Sequence, residues 1–407
     1  MSNIRVLVSG ASIAGPALAH WLHRRGAEVT VVEQSPGLRP GGQAVDARGV
    51  AKEVIRRMGL DAAVRAACTD TAGAYTVDAD GNVLETYRAD DNDGDGYISE
   101  IEVLRGDFSQ VLYDDTRDGI EYVFGDRIAE LTQDADGVDV RFASGERRGF
   151  ELAIGADGLH SALRAMVFGP REQFVRHLGL VLAFYTVPNE FGLDRWLIDY
   201  QEAGRSAGLR PVRDASRAIA MLSFPAPDFD IDYRDVEAQK QLLREQMAAF
   251  GWLTPRILAH LDEAPDFYLD QVAQVVMERW SKGRVGLLGD AAFSASPMSG
   301  AGTGLALVGA YMLAGELAAA NWDPAAGFAG YEDRMRSYVE ANQEIGRLHV
   351  QTLAAPDPDA APNPEPDMEA LTALIERAVN GPELPDYEGV PDSGTTAGPP
   401  AAPPARS

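Results

Sequence analysis

The sequence predicts an α/β fold in which a Rossmann-type nucleotide-binding domain is interleaved with a mostly antiparallel-sheet domain and followed by C-terminal helices. Three observations carry this. The chain opens as strand, glycine turn, helix and strand within about 30 residues, the length of one βαβ unit. Apolar, strand-like runs separated by polar turns fill residues 178 to 224. A second strand, glycine loop and long helix return at 284.

At 407 residues the chain is too long for one ordinary core and suits two domains plus a tail. The net charge of −26 argues against nucleic acid or an anionic membrane as partner, because both need positive surface. The acid is spread along the chain, so solubility is its simplest role, with steering of a cationic substrate as the alternative. The one cysteine, Cys68, has no disulfide partner and no metal-ligand spacing around it. The opening residues lack the pattern of a signal peptide, and no run of 18 uninterrupted apolar residues occurs. A soluble, cytoplasmic protein, monomeric or a weak homodimer, is expected.

Ile4 to Val8 reads as a strand, GASIAGPALAHWLHRRG as a turn and helix, and Ala27 to Val32 as a second strand ending at Glu33. Residues 50 to 67 read as one helix and 72 to 104 as strands. LRGDFSQVLYDD starts a helix. Residues 121 to 154 alternate as hairpins. Residues 232 to 261 read as helical, 272 to 277 as a strand and 325 to 350 as helix. From 355 the run APDPDAAPNPEPD cannot pack as helix or central strand. These readings divide the chain into a discontinuous nucleotide domain (1–70, 100–175 and 280–350), a sheet domain (71–99 and 176–279) and a tail (351–407) with a short helix near 367–380.

The first site element is Gly10-Ala11-Ser12-Ile13-Ala14-Gly15, which is G-x-G-x-x-G with serine at the middle glycine. The first glycine permits the turn and the last lets helix and strand pack closely. The helix N-terminus offers free N–H groups to a pyrophosphate. Glu33, at the end of the second strand, can accept bonds from ribose hydroxyls and argues against a 2′-phosphate. Asp91, Asp93, Asp95, Gly96 and Glu102 match a calcium loop, but the flanks look extended where an EF-hand needs helices. An acidic hairpin turn is the favoured reading, and no metal is expected.

Two further motifs are more specific: Gly155-Ala156-Asp157-Gly158-Leu159-His160-Ser161-Ala162-Leu163-Arg164, and Gly289-Asp290-Ala291-Ala292 continued by Pro297, Gly300, Gly302 and Gly304. With GASIAG and Glu33 they make the chain, over roughly residues 3 to 345, resemble the FAD-dependent aromatic hydroxylases. These are the single-component flavoprotein monooxygenases typified by para-hydroxybenzoate hydroxylase. It is most similar to tailoring hydroxylases of polyketide and antibiotic biosynthesis and to tetracycline-inactivating monooxygenases. The resemblance implies a three-layer ββα FAD domain. It places Asp290 on the flavin ribityl chain and Gly300, Ala301, Gly302 and Thr303 near the flavin pyrimidine edge. A helix N-terminus there favours the negative charge of reduced flavin. It implies ribityl contact for Arg105, a second cofactor arginine at Arg48, and Gln43 and Val45 beside the isoalloxazine. Asp157 lies near FAD, while Arg164 either braces the motif or touches the nicotinamide cofactor. The family's histidine after GDAA is Phe293 here, which puts redox tuning in question.

The resemblance further implies that NADPH or NADH transiently reduces FAD, that O₂ then forms a flavin C4a-hydroperoxide, and that an aromatic, phenolic or polyketide-like small molecule is hydroxylated. Substrate would lie against the sheet of residues 178 to 280, with Leu182, Phe184, Met221, Phe224, Tyr268 and Pro297 as pocket candidates. Alternation puts Leu182 and Phe184 on one face. No catalytic base stands out. His177 is a candidate, and a surface histidine is the simpler reading. Epoxidation or another flavin oxygenation, or flavin binding without catalysis, are the alternatives. A halogenase is disfavoured, since no two of the five tryptophans are two residues apart.

Overall fold

A computed structural model describes residues 4–94, 96–226, 232, 235–353 and 368–387. The Pro- and Asp-rich run before 368 and the tail after 387 lie outside the described residues.

The nucleotide-binding half rests on a six-stranded sheet in the order Ser281–Lys282, Val285–Leu287, Leu152–Gly155, Arg5–Ser9, Glu28–Glu33, Glu121–Phe124. All neighbours run parallel except the edge strand Ser281–Lys282. Strands buried on both faces read as continuous apolar runs, as RVLVS and LAIG do here. The hairpins expected over 121 to 154 are found only from Ile128 to Phe150, as a three-stranded antiparallel sheet. The flanking strands Glu121–Phe124 and Leu152–Gly155 pair instead with residues far away in sequence, which alternation alone does not reveal. Likewise the helix expected over 50 to 67 is two helices, Val50–Met58 and Asp61–Ala66, separated at left-handed Gly59.

The helix Gly302–Ala319 is long and apolar enough to cross a membrane, yet 83% of it is buried inside the fold. Leu305, Val308 and Met312 join Leu18 and Leu22 of the helix Ala14–Arg24 and Met335 of the helix Pro324–Leu353 in the largest core. After the last helix, Met368–Asn380, the chain is tied back onto this layer. Tyr387 donates to Glu316 at 2.6 Å and Arg57 to the Pro385 carbonyl at 3.1 Å.

The second sheet has seven strands in the order Tyr268–Val275, Val175–Pro188, Arg217–Pro225, Arg205–Pro211, Trp196–Glu202, Gly73–Val77, Val83–Arg88. Only Trp196–Glu202 and Gly73–Val77 pair in parallel. One face is apolar: Val181, Ala183, Tyr185 and Val187 pack with Leu242, Leu243, Met247 and Ile257 of two covering helices. The period of two therefore turns Leu182 and Phe184 to the opposite face, where both are half-buried.

Candidate active site

The turn between Ser9 and the helix Ala14–Arg24 is held by close backbone contacts. Gly10 has φ +107°, and its N–H donates to the Val32 carbonyl at 2.8 Å. A Cβ on Gly10 would stand 2.5 Å from the Ala156 carbonyl oxygen, and one on Gly15 would stand 1.9 Å from that of Gly10. Neither position accepts a side chain. Glu33 closes the turn from the next strand, its carboxylate accepting from the Ala11 N–H at 3.0 Å and the Ser35 N–H at 2.9 Å.

Above this turn lies a cavity of about 450 Å³, lined among others by Gly10, Ser12, Glu33, Gln43, Arg105, Asp157 and Tyr268. The Ser12 hydroxyl sits 3.4 Å from that of Ser109. Ile13 is packed in the core and Ala14 lies against Gly289, so these two can reach a ligand only through their backbone. The lining suits a dinucleotide: a helix N-terminus for a pyrophosphate, a carboxylate at the strand end for ribose hydroxyls, and the guanidinium groups of Arg39, Arg105 and Arg127. The residues present fit FAD.

The other two motifs meet at this site. Asp157 accepts from the Ser161 hydroxyl at 2.5 Å and the Leu163 N–H at 3.1 Å, while burial pushes its carboxyl up. Arg164 is 1% exposed and donates to the carbonyls of Ala291 at 2.9 Å and Leu159 at 2.6 Å. It braces the two motifs against each other, and its burial leaves it no access to a nicotinamide. Asp290 begins the turn Asp290–Phe293, and the protein around its carboxyl pushes it up, against the pull of Arg105. Arg105 and Asp290 also both act on the Tyr268 phenol, so the three flank one space. Phe293, at the usual histidine position, is buried against Trp280 with ring centroids 4.7 Å apart. It is a core residue here. Gly300 and Gly302 are exposed and Thr303 is buried at the N-terminus of the helix Gly302–Ala319, with Ala301 as its cap and Pro297 exposed in the preceding turn.

Three expectations are corrected. Phe224 is fully buried in the apolar core beneath the sheet, because its register partner is Val181 and not Leu182. It cannot line a substrate pocket. Arg48 does not line the nucleotide cavity; Asp46, two residues before it, captures the guanidinium at 2.8 Å, and the Tyr97 carbonyl accepts from it at 3.2 Å. Val45 is half-buried against the main core beside it. Glu102, the last position of the calcium-loop match, is 3% exposed and turned inward. It accepts from Thr69 at 2.6 Å and Thr71 at 2.8 Å and is paired with Arg210. Asp91 accepts from the Arg88 N–H at 2.7 Å, and the acidic run is not the expected hairpin turn: Val83–Arg88 pairs with Gly73–Val77, and Glu102–Leu104 pairs with Ala44–Asp46 in another sheet. Asp95 lies outside the described residues, and nothing is described of the Asp93 side chain.

The remaining candidates are placed as follows. Phe184, Met221 and Tyr268 lie in one cross-strand row, with the Phe184 and Tyr268 rings stacked at 6.4 Å. His177 is exposed beside a bulge in its strand. Sequence reasoning passed over several polar residues. Tyr268 and His160 both contact the buried Asp270 carboxylate, at 3.0 and 2.8 Å. Asp199 and Arg210 also lie on the row-bearing face of the sheet. The signal in the sequence is a charged residue following an apolar run within each strand, Asp199 after WLI in WLIDYQE and Arg210 after AGL in RSAGLRP.

The Glu102–Arg210 pair gives a stability test. Arg210→Met leaves a buried carboxylate without its cation and is expected to lower stability by about 3–5 kcal/mol. Denaturant melts read this. The double change with Glu102→Leu should recover most of the loss.

The chain matches the family model described as FAD binding domain over residues 3–348. It is 46% identical over 371 residues to an uncharacterized protein of Mycobacterium tuberculosis, covering 91% of this chain and 98% of that one. It is 37% identical to a flavin-dependent monooxygenase of Legionella longbeachae, covering 95% and 99% of the two chains. Among solved structures it superposes on tetracycline destructase Tet(55) with a TM-score of 0.83, 37% identity, and coverage of 95% and 99%.

Proposed function

The chain belongs to the FAD-binding family of flavoprotein monooxygenases, and from that premise we propose that it hydroxylates an aromatic, phenolic or polyketide-like small molecule, with NADPH or NADH as transient reductant and O₂ as oxidant. The observation that carries the reading is the row of Phe184, Met221 and Tyr268, an apolar shelf that ends at the nucleotide cavity. Flat rings suit such a shelf, and the likeness to a tetracycline destructase supports a flat polycyclic substrate.

Bound FAD supplies the electron store and the means of activating O₂. The chain's own residues hold and screen it. The glycine turn and the N-terminus of Ala14–Arg24 take the pyrophosphate, Glu33 takes ribose hydroxyls, and Arg105 with Asp290 takes the ribityl side. The N-terminus of Gly302–Ala319, with Gly300 to Thr303, stabilises negative charge on the flavin pyrimidine. Leu182, Phe184 and Met221 exclude water from the reacting ring.

Purified protein should be yellow, and NADPH or NADH oxidation should rise when a productive phenol or polyketide is added. Product should carry one atom of labelled O₂. Flavin-loaded protein that no member of a broad aromatic panel stimulates would overturn the reading in favour of flavin binding without hydroxylation.

A further inference from the structure

On the cavity-facing side of the seven-stranded sheet, the registers align Tyr268, Phe184, Met221, Gly208 and Asp199 as successive cross-strand neighbours. Strands lie about 4.8 Å apart, so Asp199 stands roughly 10 Å beyond Met221 along this row. Apolar side chains thus lead from the nucleotide cavity to one buried carboxyl group.

The charges around that carboxyl do not balance. Asp46 is matched by Arg48 at 2.8 Å, and Glu102 by Arg210. Asp199 is 9% exposed, and among the described residues no cationic side chain forms an ion pair with it. Its hydrogen-bond partner is the Gln201 side-chain amide, which donates to Oδ2 at 2.5 Å. Oδ1 lies close over Gly208, where a Cβ would stand 2.8 Å from it, so that residue puts no side chain on it. Burial pushes the Asp199 carboxyl up to about 6, against the Gln201 bond and the charge of Arg210. At neutral pH it is therefore mostly ionised, with an amide and no cation in direct contact among the described residues, a state a buried carboxylate tolerates poorly.

A second observation points the same way. Tyr97 is 54% exposed, and its ring stacks on Tyr87 at 4.6 Å and 28°. The protein around its phenol and then the Asp199 charge push it up to about 12, so near Asp199 it is a neutral ring. An open aromatic face beside an unpaired carboxylate suits a cation on an aromatic body.

We propose that Asp199 is a specificity residue that anchors a protonated amine of the aromatic substrate, whose ring then lies along Met221 and Phe184. This rests on the hydroxylase reading and deepens it, since it names the substrate class as aromatic compounds that carry a protonated alkylamine. The strongly acidic chain assists by attracting such molecules.

The test uses FAD-loaded full-length protein and matched probes: aminoalkyl phenols and naphthols against their N-acetyl counterparts. Binding is read by perturbation of flavin absorbance and by calorimetry. Wild type should favour the amines by about tenfold or more, as expected for a desolvated charge pair. The preference should fade as pH drops through about 6, because protonation of Asp199 removes its negative charge. Arg210, Glu102 and Tyr97 keep their charge states over that range, Glu102 being held low by Arg210 and two threonine hydroxyls and Tyr97 held high; the Asp46 carboxyl, paired with Arg48, is also pushed up by burial, so the pH dependence must vanish in Asp199→Asn for Asp199 to be its source. Asp199→Asn should abolish the preference and leave the N-acetyl probes unchanged. Equal binding of both probe types to wild type, or a preference retained in Asp199→Asn, overturns the anchor. If the variant fails to fold, a wild-type preference unchanged between pH 5 and 8 overturns it. If aromatics stimulate NADPH or NADH oxidation but amines hold no advantage, the anchor falls and the hydroxylase reading stands. If loaded protein responds to no aromatic at all, both fall.

Discussion

Gly15→Val is expected to yield protein that purifies without flavin. The substituent would begin 1.9 Å from the Gly10 carbonyl oxygen, in a helix whose first turn is packed into the largest core. Neither partner can give way. Gly10 is pinned by its bond to Val32 and by the Ala156 backbone 2.5 Å from its own virtual Cβ. Relief therefore requires the helix Ala14–Arg24 to move off the sheet, and the N–H groups proposed to hold the pyrophosphate move with it. Overpacking of this kind costs about 1–3 kcal/mol where side chains can adjust, and more where backbone must move. The displaced N–H groups add a separate loss in FAD affinity, expected to exceed about a hundredfold. Visible flavin absorbance per mole of protein and calorimetric titration with FAD both measure it. Gly149→Ala, whose Cβ meets only Asp139 at an ordinary 3.6 Å, is the control and should retain full flavin.

Arg164→Met is expected to produce a large loss of stability. The guanidinium is inside the protein, where burial pulls it down to about 10 although Asp157 supports its charge. Removing it leaves the carbonyls of Ala291 and Leu159 without these donors and withdraws the positive charge that Asp157 feels. Breaking a buried charged network by deleting one member costs about 3–5 kcal/mol. Methionine fills most of the volume, so the effect reports the polar contacts and not a cavity. Thermal and denaturant melts of the FAD-free protein should show the loss. Excess FAD should recover part of it, because ligand binding favours the folded form. An unchanged midpoint would mean that the two motifs are held together by packing alone.

Gly15→Val concerns a feature written locally in the chain, whereas the Arg164 brace reaches a carbonyl 127 residues away. GASIAG, the DG motif and the GDAA loop are legible because their chemistry is backbone chemistry: a turn, a helix start, a cap. The Ser161 hydroxyl capping its helix through the Arg164 N–H is one case, with both partners three residues apart. Pocket residues are less legible. Alternation within a strand places Leu182 and Phe184 on one face. The face of Phe224 depends instead on pairing with Val181, more than forty residues away. The Arg48 guanidinium is held by Asp46, a pairing set by where the strand Ala44–Asp46 ends.

By itself, then, the sequence determined the βαβ opening, the turn glycines, the order of the three motifs and the alternating faces of the sheet strands. These follow from steric rules that act within a few residues. Tertiary structure alone decided which parallel partners the strands at 121 and 152 take and that Arg164 is a buried brace. It also decided that Glu102 answers Arg210 and that Asp199 forms no ion pair among the described residues. Each of these depends on desolvation and on pairing between groups distant in the chain, and such charges acquire their meaning only when sheet register sets which of them face each other.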